Sequence, residues 1–344
     1  MYEDFYGINA KPFQLSPDPK FFFPSPKHRE ALSYLEYGLD QAEGFIVITG
    51  PIGTGKTTLA QNLLNRIQGA HIEAVQIVSS NLSPTDLLSF VAKEFGLKPE
   101  LNTKASILEA IEQHLNHVHQ QGKRCLLIVD EAQNLPIDTV EELRMLSNFQ
   151  HNNKPLLQSF LLGQEELKTH LQTPEMEQFR QRIIASCHLK PLTTEEIEQY
   201  IGHRLTTVGL ESPNIFDPQC FQLIQQITRG VPRKINLLAD RIMLYGFLND
   251  LQHFTAETVQ KVINEMKLEL TASLNQLEPN IQTTRTPEQP NDKSILNTSH
   301  NISTALTKID DFLTEALEPK IKMNRYLDKL IKLKNLTISE DDKS

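Results

Sequence analysis

The sequence has few cysteines and no long apolar run, and both shortages exclude whole classes of protein. Its three cysteines, Cys125, Cys187 and Cys220, lie far apart and form no CxxC pair, so neither a zinc site nor a disulfide framework is predicted. The longest apolar runs, such as Phe45–Ile48 and Leu126–Val129, are far shorter than the roughly 20 residues that span a bilayer. The acidic first residues do not resemble a signal peptide. We therefore expect a cytoplasmic protein that reaches the inner membrane only through a partner.

Positive charge is also scarce. The 344 residues include 34 Lys and Arg against 43 Asp and Glu, which gives a formal net charge of -9. This balance argues against a surface that is basic all over and binds nucleic acid or anionic lipid, while a local basic patch stays compatible with it. At about 150 residues per domain, the length suits one large domain and a smaller one.

The first half of the chain alternates between apolar strand patterns and helical patterns. Strands that are wholly apolar and separated by helices are typical of a parallel sheet covered on both faces. We therefore predict an α/β domain over residues 1–190, which opens with an irregular segment, residues 1–26, rich in aromatic residues and proline. The predicted strands are 44–49, 73–78, 125–129 and 158–162, and the predicted helices are 27–41, 57–67, 84–95, 104–121 and 138–146.

The second half contains only helical patterns. Helices are predicted at about 195–208, 217–228, 233–248 and 255–268, and Thr193 with Glu196 can form a capping box before the first. These residues indicate a small all-α lid domain, 191–270. The polar composition of 271–300 predicts a flexible linker. The apolar spacing within 301–336 predicts an amphipathic C-terminal helix that either docks on a partner or folds back on its own domain.

The strongest motif is the stretch GPIGTGKT, which starts at Gly50 and fits the P-loop pattern G-x-x-x-x-G-K-[ST]. It lies between a predicted strand and a predicted helix, as a P-loop requires. Its backbone N–H groups and the helix N-terminus suit phosphate, Lys56 would neutralise the β- and γ-phosphates, and Thr57 would bind Mg²⁺. We predict ATP and Mg²⁺ as cofactors, with binding residues Gly50, Pro51, Ile52, Gly53, Thr54, Gly55, Lys56, Thr57 and Thr58.

Polar side chains follow two of the other predicted strands. Asp130 and Glu131 follow the apolar stretch LLIV, and Gln164 follows the stretch SFLLG. Because ligands of open α/β sheets lie at the carboxyl ends of the strands, Asp130 fits a second Mg²⁺ ligand and Glu131 fits the residue that polarises the attacking water. Gln164 can reach the γ-phosphate or that water. The alternative is an acidic loop and a loop glutamine without a catalytic role.

Three arginines fit charge stabilisation during phosphoryl transfer. Arg180 and Arg182 lie near the end of the α/β part, where either can serve a neighbouring subunit, with a surface salt bridge as the alternative. Arg233 follows Pro232 at the start of a lid helix. Because proline fixes that start, Arg233 is predicted to project toward the cleft between the domains and to report the γ-phosphate to the lid.

Together these motifs resemble those of AAA+ ATPases, with Gly50 to Thr57 as Walker A, Leu126 to Glu131 as Walker B, Gln164 as sensor 1 and Arg233 as sensor 2. The opening YEDFYGI and the strings KPF, SPDP and HREAL are similar to the ExeA-like (general secretion pathway protein A) group. The strings EELRMLSNF and LLQSFLLGQ are most similar to its secretion ATPase subfamily from exosortase/PEP-CTERM and exopolysaccharide loci. The resemblance covers residues 1–268.

The resemblance implies ATP hydrolysis coupled to secretion, exopolysaccharide export or envelope assembly. It also implies a homo-oligomer in which Arg180 or Arg182 completes a neighbour's site, and an N-terminal aromatic segment that covers the adenine, with Phe5, Tyr6 and Phe13 as open choices. ExeA-type members carry a transmembrane helix and a peptidoglycan-binding domain after the ATPase, and neither pattern follows here, so we expect a cytoplasmic switch whose C-terminal helix meets a membrane-embedded partner.

Two other functions stay open. A DNA-associated ATPase of the Orc or transposition-helper type shares this core, but such a protein would normally show a basic helix-turn-helix or winged domain where the polar linker stands. A nucleotide-binding scaffold that hydrolyses little is the third function, and the presence of Glu131 argues against it.

Overall fold

The computed structural model describes residues 2–41, 43–67, 71–79, 81–97 and 103–275. The predicted C-terminal helix, 301–336, and the predicted linker after residue 275 lie outside the described residues. The helices and strands are, in chain order, α1 (Tyr2–Tyr6), α2 (Pro26–Gln41), β1 (Phe45–Thr49), α3 (Lys56–Ile67), β2 (Ile72–Val78), α4 (Pro84–Glu94), α5 (Lys104–Gln120), β3 (Arg124–Asp130), α6 (Ile137–Leu146), β4 (Gln150–His151), β5 (Lys154–Pro155), β6 (Leu157–Gly163), α7 (Glu165–Leu171), α8 (Glu177–Arg180), β7 (Ile183–His188), α9 (Thr194–Thr207), α10 (Pro218–Thr228), α11 (Pro232–Leu248) and α12 (Ala256–Asn275).

Five strands form one parallel sheet in the order β2-β3-β6-β1-β7. Four of them are the predicted strands, and the edge strand β7 was not predicted. The short strands β4 and β5 form a separate antiparallel hairpin that the sequence reasoning also missed. Because β1 lies between β6 and β7, the loop after it opens between the ends of these two strands.

Alternate side chains of the central strands enter two different cores, as the pleat of a strand requires. On one face Phe45 and Val47 of β1 pack with residues of α4, α5 and α6. On the other face Ile46 and Ile48 pack with residues of α2 and α3. The prediction of a parallel sheet with helices on both faces is therefore confirmed.

Helices α9 to α12 form an all-α group with its own core. The predicted capping box is present, because the Thr193 hydroxyl accepts from the Glu196 N–H and the Glu196 carboxylate accepts from the Thr193 N–H. Helix α12 continues to Asn275, beyond the predicted end at 268 and into the predicted linker. No helix within the described ranges is both long enough and apolar enough to cross a bilayer.

The N-terminal segment, residues 2–25, packs on this helical group and includes one short α-helix, α1, and one 3-10 turn, Pro19–Phe21. Tyr2, Tyr6, Phe13 and Phe21 are buried in the core of α9 to α12. The Tyr6 hydroxyl lies 3.0 Å from the Leu251 carbonyl oxygen, to which it can donate. The segment is irregular over most of its length, as predicted, and the core that it covers belongs to the helical group.

Candidate nucleotide-binding site

The loop from Gly50 to Gly55 leaves the carboxyl end of β1 and leads directly into α3. Gly53 has a φ of 80°, a conformation that residues with a side chain rarely adopt. A Cβ atom on Gly53 would lie only 2.7 Å from the Cβ of Arg233. The glycine therefore lets the loop and the start of α11 approach each other closely.

Lys56 is buried and its ammonium group is directed at the loop itself. Its Nζ donates to the carbonyl oxygens of Gly50, at 2.7 Å, and Pro51, at 3.1 Å. Burial lowers the pKa of Lys56, and the nearby charges of Glu131 and Asp130 oppose that shift. A buried ammonium group that donates to neutral carbonyl oxygens is well suited to an anionic ligand in the same loop.

Thr57 and Asp130 meet at the ends of α3 and β3. The Thr57 hydroxyl donates to Asp130 Oδ2 at 2.7 Å, and the Glu131 N–H donates to Asp130 Oδ1 at 2.9 Å. Burial raises the pKa of Asp130, with the Glu131 charge adding to the shift. A hydroxyl and a carboxylate side by side are the hard oxygen donors that Mg²⁺ takes, usually together with water and substrate phosphates, so this pair fits the predicted metal.

Glu131 and Gln164 are brought together from neighbouring strands. Glu131 has a φ of 54°, in the left-handed region, directly after β3. Gln164 follows β6, and its Nε2 donates to Glu131 Oε2 at 3.1 Å. A third residue, Gln133, donates to the same oxygen at 2.6 Å. Sequence reasoning missed Gln133, although it follows Glu131 by two positions in the string DEAQ.

Arg233 closes the cleft from the helical group. Its backbone N–H donates to the carbonyl oxygen of Gly53 at 3.2 Å, so the first turn of α11 contacts the P-loop directly. The cleft has a volume of about 210 Å³. Its lining includes the predicted residues Ile52, Gly53, Thr54, Gly55, Lys56, Thr57, Thr58, Glu131 and Arg233.

The N-terminal segment forms another wall of the cleft. Phe21, Phe22 and Phe23 line it. Phe5, Tyr6 and Phe13, the three residues considered for adenine, instead pack against the core of the helical group. The signal that could have identified Phe21, Phe22 and Phe23 as cleft-lining residues is their position directly before the first long helix.

His28 is a buried residue at this wall that sequence reasoning did not select. Its Nε2 lies 3.0 Å from the Thr54 carbonyl oxygen, and its Nδ1 lies 2.7 Å from the Ser25 hydroxyl. Because a carbonyl can only accept, Nε2 carries the proton and Ser25 donates to Nδ1. Burial lowers the pKa of His28, which keeps the ring neutral and in this tautomer.

A buried chain of polar side chains lies at the far end of the cleft. Arg204 donates to the Tyr200 hydroxyl at 2.9 Å, and that hydroxyl donates to Asn236 Oδ1 at 2.7 Å. The Arg204 guanidinium also stacks over the Phe21 ring, 4.8 Å from its centre. These residues fix the Phe21 ring against the helical group.

Arg180 and Arg182 lie outside this cleft and bind groups of their own chain. Arg180 Nη1 donates to the carbonyl oxygens of Leu171, at 2.7 Å, and Thr173, at 2.6 Å. Arg182 Nη1 donates to the Ser147 hydroxyl at 2.7 Å. In the single chain both arginines therefore bind the ends of nearby helices, and their predicted role toward a neighbouring subunit stays a prediction.

Comparisons with known proteins agree with this architecture. Residues 39–171 match the family model described as AAA domain. The chain is 39% identical over 248 residues to General secretion pathway protein A of Aeromonas hydrophila, a match that covers 72% of this chain and 45% of that protein. It is 27% identical over 140 residues to the Mu-like prophage FluMu DNA transposition protein B of Haemophilus influenzae, which covers 41% of this chain and 45% of that protein. The chain thus spans less than half the length of either relative.

A solved structure shows the same fold. The ORC2 protein of Aeropyrum pernix superposes with a TM-score of 0.56 and 16% identity, covering 88% of this chain and 90% of that one. At this identity the likeness concerns the fold alone. The chain has the P-loop NTPase fold of the AAA type, a parallel sheet with helices on both faces followed by an all-α group.

Proposed function

We propose that this chain binds ATP with Mg²⁺ in the described cleft and hydrolyses it to ADP and phosphate. The observation that carries the proposal is that Lys56, Thr57 and Glu131 line one cleft at the carboxyl end of the sheet, with Asp130 bonded to Thr57 directly behind it. The match to the AAA domain and the similarity to General secretion pathway protein A support it.

The residues divide the chemistry among them. The P-loop backbone holds the phosphates, and Lys56 exchanges its carbonyl partners for phosphate oxygens. Thr57 and Asp130 hold Mg²⁺, which supplies charge neutralisation when bound. Glu131 accepts a proton from the attacking water and orients it. Gln164 and Arg233 contact the γ-phosphate from the sheet and from the helical group.

The base of the nucleotide is proposed to lie against Phe21, Phe22 and Phe23. These rings line the same cleft as the P-loop, and aromatic faces stack on purines. The Arg204 guanidinium, which donates to the Tyr200 hydroxyl, stacks on Phe21 and holds its ring in place. The other site residues proposed from the sequence, Pro51, Ile52 and Thr58, complete the loop around the phosphates.

The cellular role proposed is an energy-coupling switch for a secretion, exopolysaccharide export or envelope assembly system, at the cytoplasmic side of the inner membrane. The similarity to General secretion pathway protein A favours secretion, and the strings shared with the exosortase/PEP-CTERM subfamily favour exopolysaccharide loci. The proposal includes a homo-oligomer in which Arg180 or Arg182 leaves its intrachain acceptor to serve a neighbour, and a membrane-embedded partner for residues 301–336.

Steady-state hydrolysis of MgATP tests the catalytic proposal. Wild type is compared with Lys56→Ala, which removes the phosphate ligand, and with Glu131→Gln, which keeps the shape of the side chain but removes its basicity. Losing a general base costs typically 10²–10⁴-fold, so we expect kcat of Glu131→Gln to fall by roughly that factor. Light scattering with and without ATP tests assembly. Equal turnover in wild type and Glu131→Gln would refute the assignment.

A DNA-associated ATPase is the alternative. It is favoured by the similarity to the FluMu DNA transposition protein B. The same hydrolysis assay with added duplex DNA distinguishes the two functions. Stimulation that disappears with rising salt would indicate phosphate contacts and favour the DNA function, and an unchanged rate would favour the secretion function.

A further inference from the structure

The side chain of Gln133 bridges the two strand ends that carry Glu131 and Gln164. Its Nε2 donates to Glu131 Oε2 at 2.6 Å, and its Oε1 accepts from the backbone N–H of Gln164 at 2.9 Å. A backbone N–H can only donate, so this contact fixes which end of the amide is oxygen. The NH₂ end must then face Glu131. Gln133 is therefore held in one orientation from both sides.

This bridge leaves one carboxylate oxygen of Glu131 available. Both amide donors, from Gln133 and Gln164, contact Oε2, while Oε1 has no hydrogen-bond partner among the described residues. Glu131 also lines the cleft. A carboxylate that is anchored through one oxygen and free at the other has the geometry that a proton acceptor needs, because a lone pair must stay open for the water.

The room for this bridge comes from Gly163, the last residue of β6. A Cβ atom on Gly163 would lie 3.1 Å from Gln133 Oε1 and 2.6 Å from Leu167 Cδ2. A larger residue at the end of β6 would therefore push the Gln133 amide away from the Gln164 N–H. The backbone of β6 and the side chain of Gln133 fit each other closely at this point.

The two amide contacts to Glu131 Oε2 differ in length. The Gln133 contact is 2.6 Å and the Gln164 contact is 3.1 Å. If the Gln164 side chain turns toward a bound phosphate, it gives up the longer contact and the shorter one stays. Glu131 then keeps its orientation while Gln164 is engaged elsewhere.

We propose that Gln133 is a positioning residue, which holds Glu131 with one oxygen open to the cleft and ties it to the end of β6 so that Gln164 is free to act on the nucleotide. This inference rests on the proposed ATP hydrolysis. It assigns Gln133 an effect on kcat and none on nucleotide affinity, because both ends of its amide are occupied by protein groups, Glu131 Oε2 and the Gln164 N–H.

Three substitutions of Gln133 distinguish its hydrogen bond to Glu131 from its hydrogen bond with the Gln164 N–H. Gln133→Glu keeps an acceptor for the Gln164 N–H, loses the donor to Glu131 and adds a repelling charge. Gln133→Ala loses both bonds. Gln133→His keeps one donor and one acceptor in a neutral imidazole. Gln222→Glu, on the exposed side of α10, is the matched control for the change in charge.

The experiment measures kcat and KM for MgATP, the Kd of a fluorescent ATP analogue and the melting temperature of each variant. We expect kcat to fall by about 10–100-fold in Gln133→Glu and Gln133→Ala, a part of the full general-base contribution. The Kd is expected to stay within about twofold of wild type, since no binding contact changes. Gln133→His is expected to recover a large part of kcat, and Gln222→Glu to behave as wild type.

The outcomes distinguish the inference from the function on which it rests. A wild type whose turnover equals that of Glu131→Gln overturns the proposed function, and the inference with it. A wild type that depends on Glu131 but tolerates Gln133→Glu and Gln133→Ala at full kcat overturns the inference alone. If kcat falls together with ATP affinity and melting temperature, Gln133 only supports the fold, and the inference is also overturned.

Discussion

Replacing His28 tests whether the N-terminal segment holds the P-loop in place. In His28→Ala the Thr54 carbonyl and the Ser25 hydroxyl both lose a buried partner. The Ser25 hydroxyl keeps the backbone N–H of residue 28 as a donor, while each lost buried hydrogen bond costs about 1–3 kcal/mol. A loss near 3 kcal/mol is therefore expected, equivalent to a fall in melting temperature of about 6–12 °C for a folded unit of this size. His28→Gln retains one donor and one acceptor and is expected to lose only about 1 kcal/mol.

The pH dependence of stability in wild type and in His28→Gln gives a sharper test. Burial lowers the pKa of His28 below its usual 6.5, against opposing effects of the Thr54 hydrogen bond and the Glu196 charge. Between the lowered pKa and 6.5 the unfolded chain binds more protons than the folded one, so stability is lost as the pH falls below about 6.5 and is constant above it. His28→Gln lacks this loss. Its deficit relative to wild type should therefore shrink between pH 7.5 and pH 5.

Thermal melts over that pH range, with His170→Gln on the exposed side of α7 as control, measure both effects. The Kd of a fluorescent ATP analogue is measured beside them, and His28→Ala is expected to weaken binding because the Thr54 backbone is part of the loop. Parallel melting curves for wild type and His28→Gln at every pH would refute the assignment of a neutral, buried His28. A melting temperature of His28→Ala equal to that of wild type would refute its role in holding the loop.

Three other perturbations follow from the described contacts. Gly53→Ala places a Cβ 2.7 Å from the Cβ of Arg233, at a backbone φ of 80°. We therefore expect a lower affinity for ATP and a melting temperature several degrees lower. An unchanged Kd would contradict the close packing of the P-loop against α11. Tyr2→Phe removes the hydroxyl that donates to the partly buried Asp240 at 2.6 Å. Urea unfolding should show a loss of about 1–3 kcal/mol, and Tyr37→Phe, at an exposed tyrosine, should show none. Burial raises the pKa of the Cys125 thiol to about 12 and that of the Cys220 thiol to about 11. A thiol reagent at pH 8 should therefore react slowly with the native protein, and should label all three cysteines only after unfolding. Rapid labelling of the native chain would contradict the burial of the cysteines.

The sheet could be predicted from the sequence where each strand is apolar throughout. Strands β1, β3 and β6 are completely or almost completely buried, so both faces require apolar side chains and the pattern stands out. Strand β7, with the sequence IIASCH, lies at the sheet edge and is mostly half-buried. Strand β2 lies at the other edge and is also mostly half-buried, but it keeps Val75, Ile77 and Val78, whereas Ser186 and His188 interrupt the apolar pattern of β7.

The same distinction applies to the candidate site. The P-loop and the Asp130–Glu131 pair are contiguous in sequence, and their chemistry follows from residue type and order. His28 and Gln133 could not be selected in this way, because their partners Thr54 and Gln164 are distant in sequence and their role depends on hydrogen bonds that only the fold creates. For Arg180 and Arg182 the residue type suggested a role, while the single chain shows only intrachain acceptors.

The N-terminal segment connects the start of the chain to α11, since Tyr2 binds Asp240 across 238 residues. A ribosome releases this segment first, yet its aromatic residues stay without their partners until α11 and α12 have been made. Such long-range closure slows folding and exposes apolar surface during synthesis. A fragment limited to residues 191–275 would lack Tyr2, Tyr6, Phe13 and Phe21 in its core. Truncation studies of the helical group therefore have to retain the first residues of the protein.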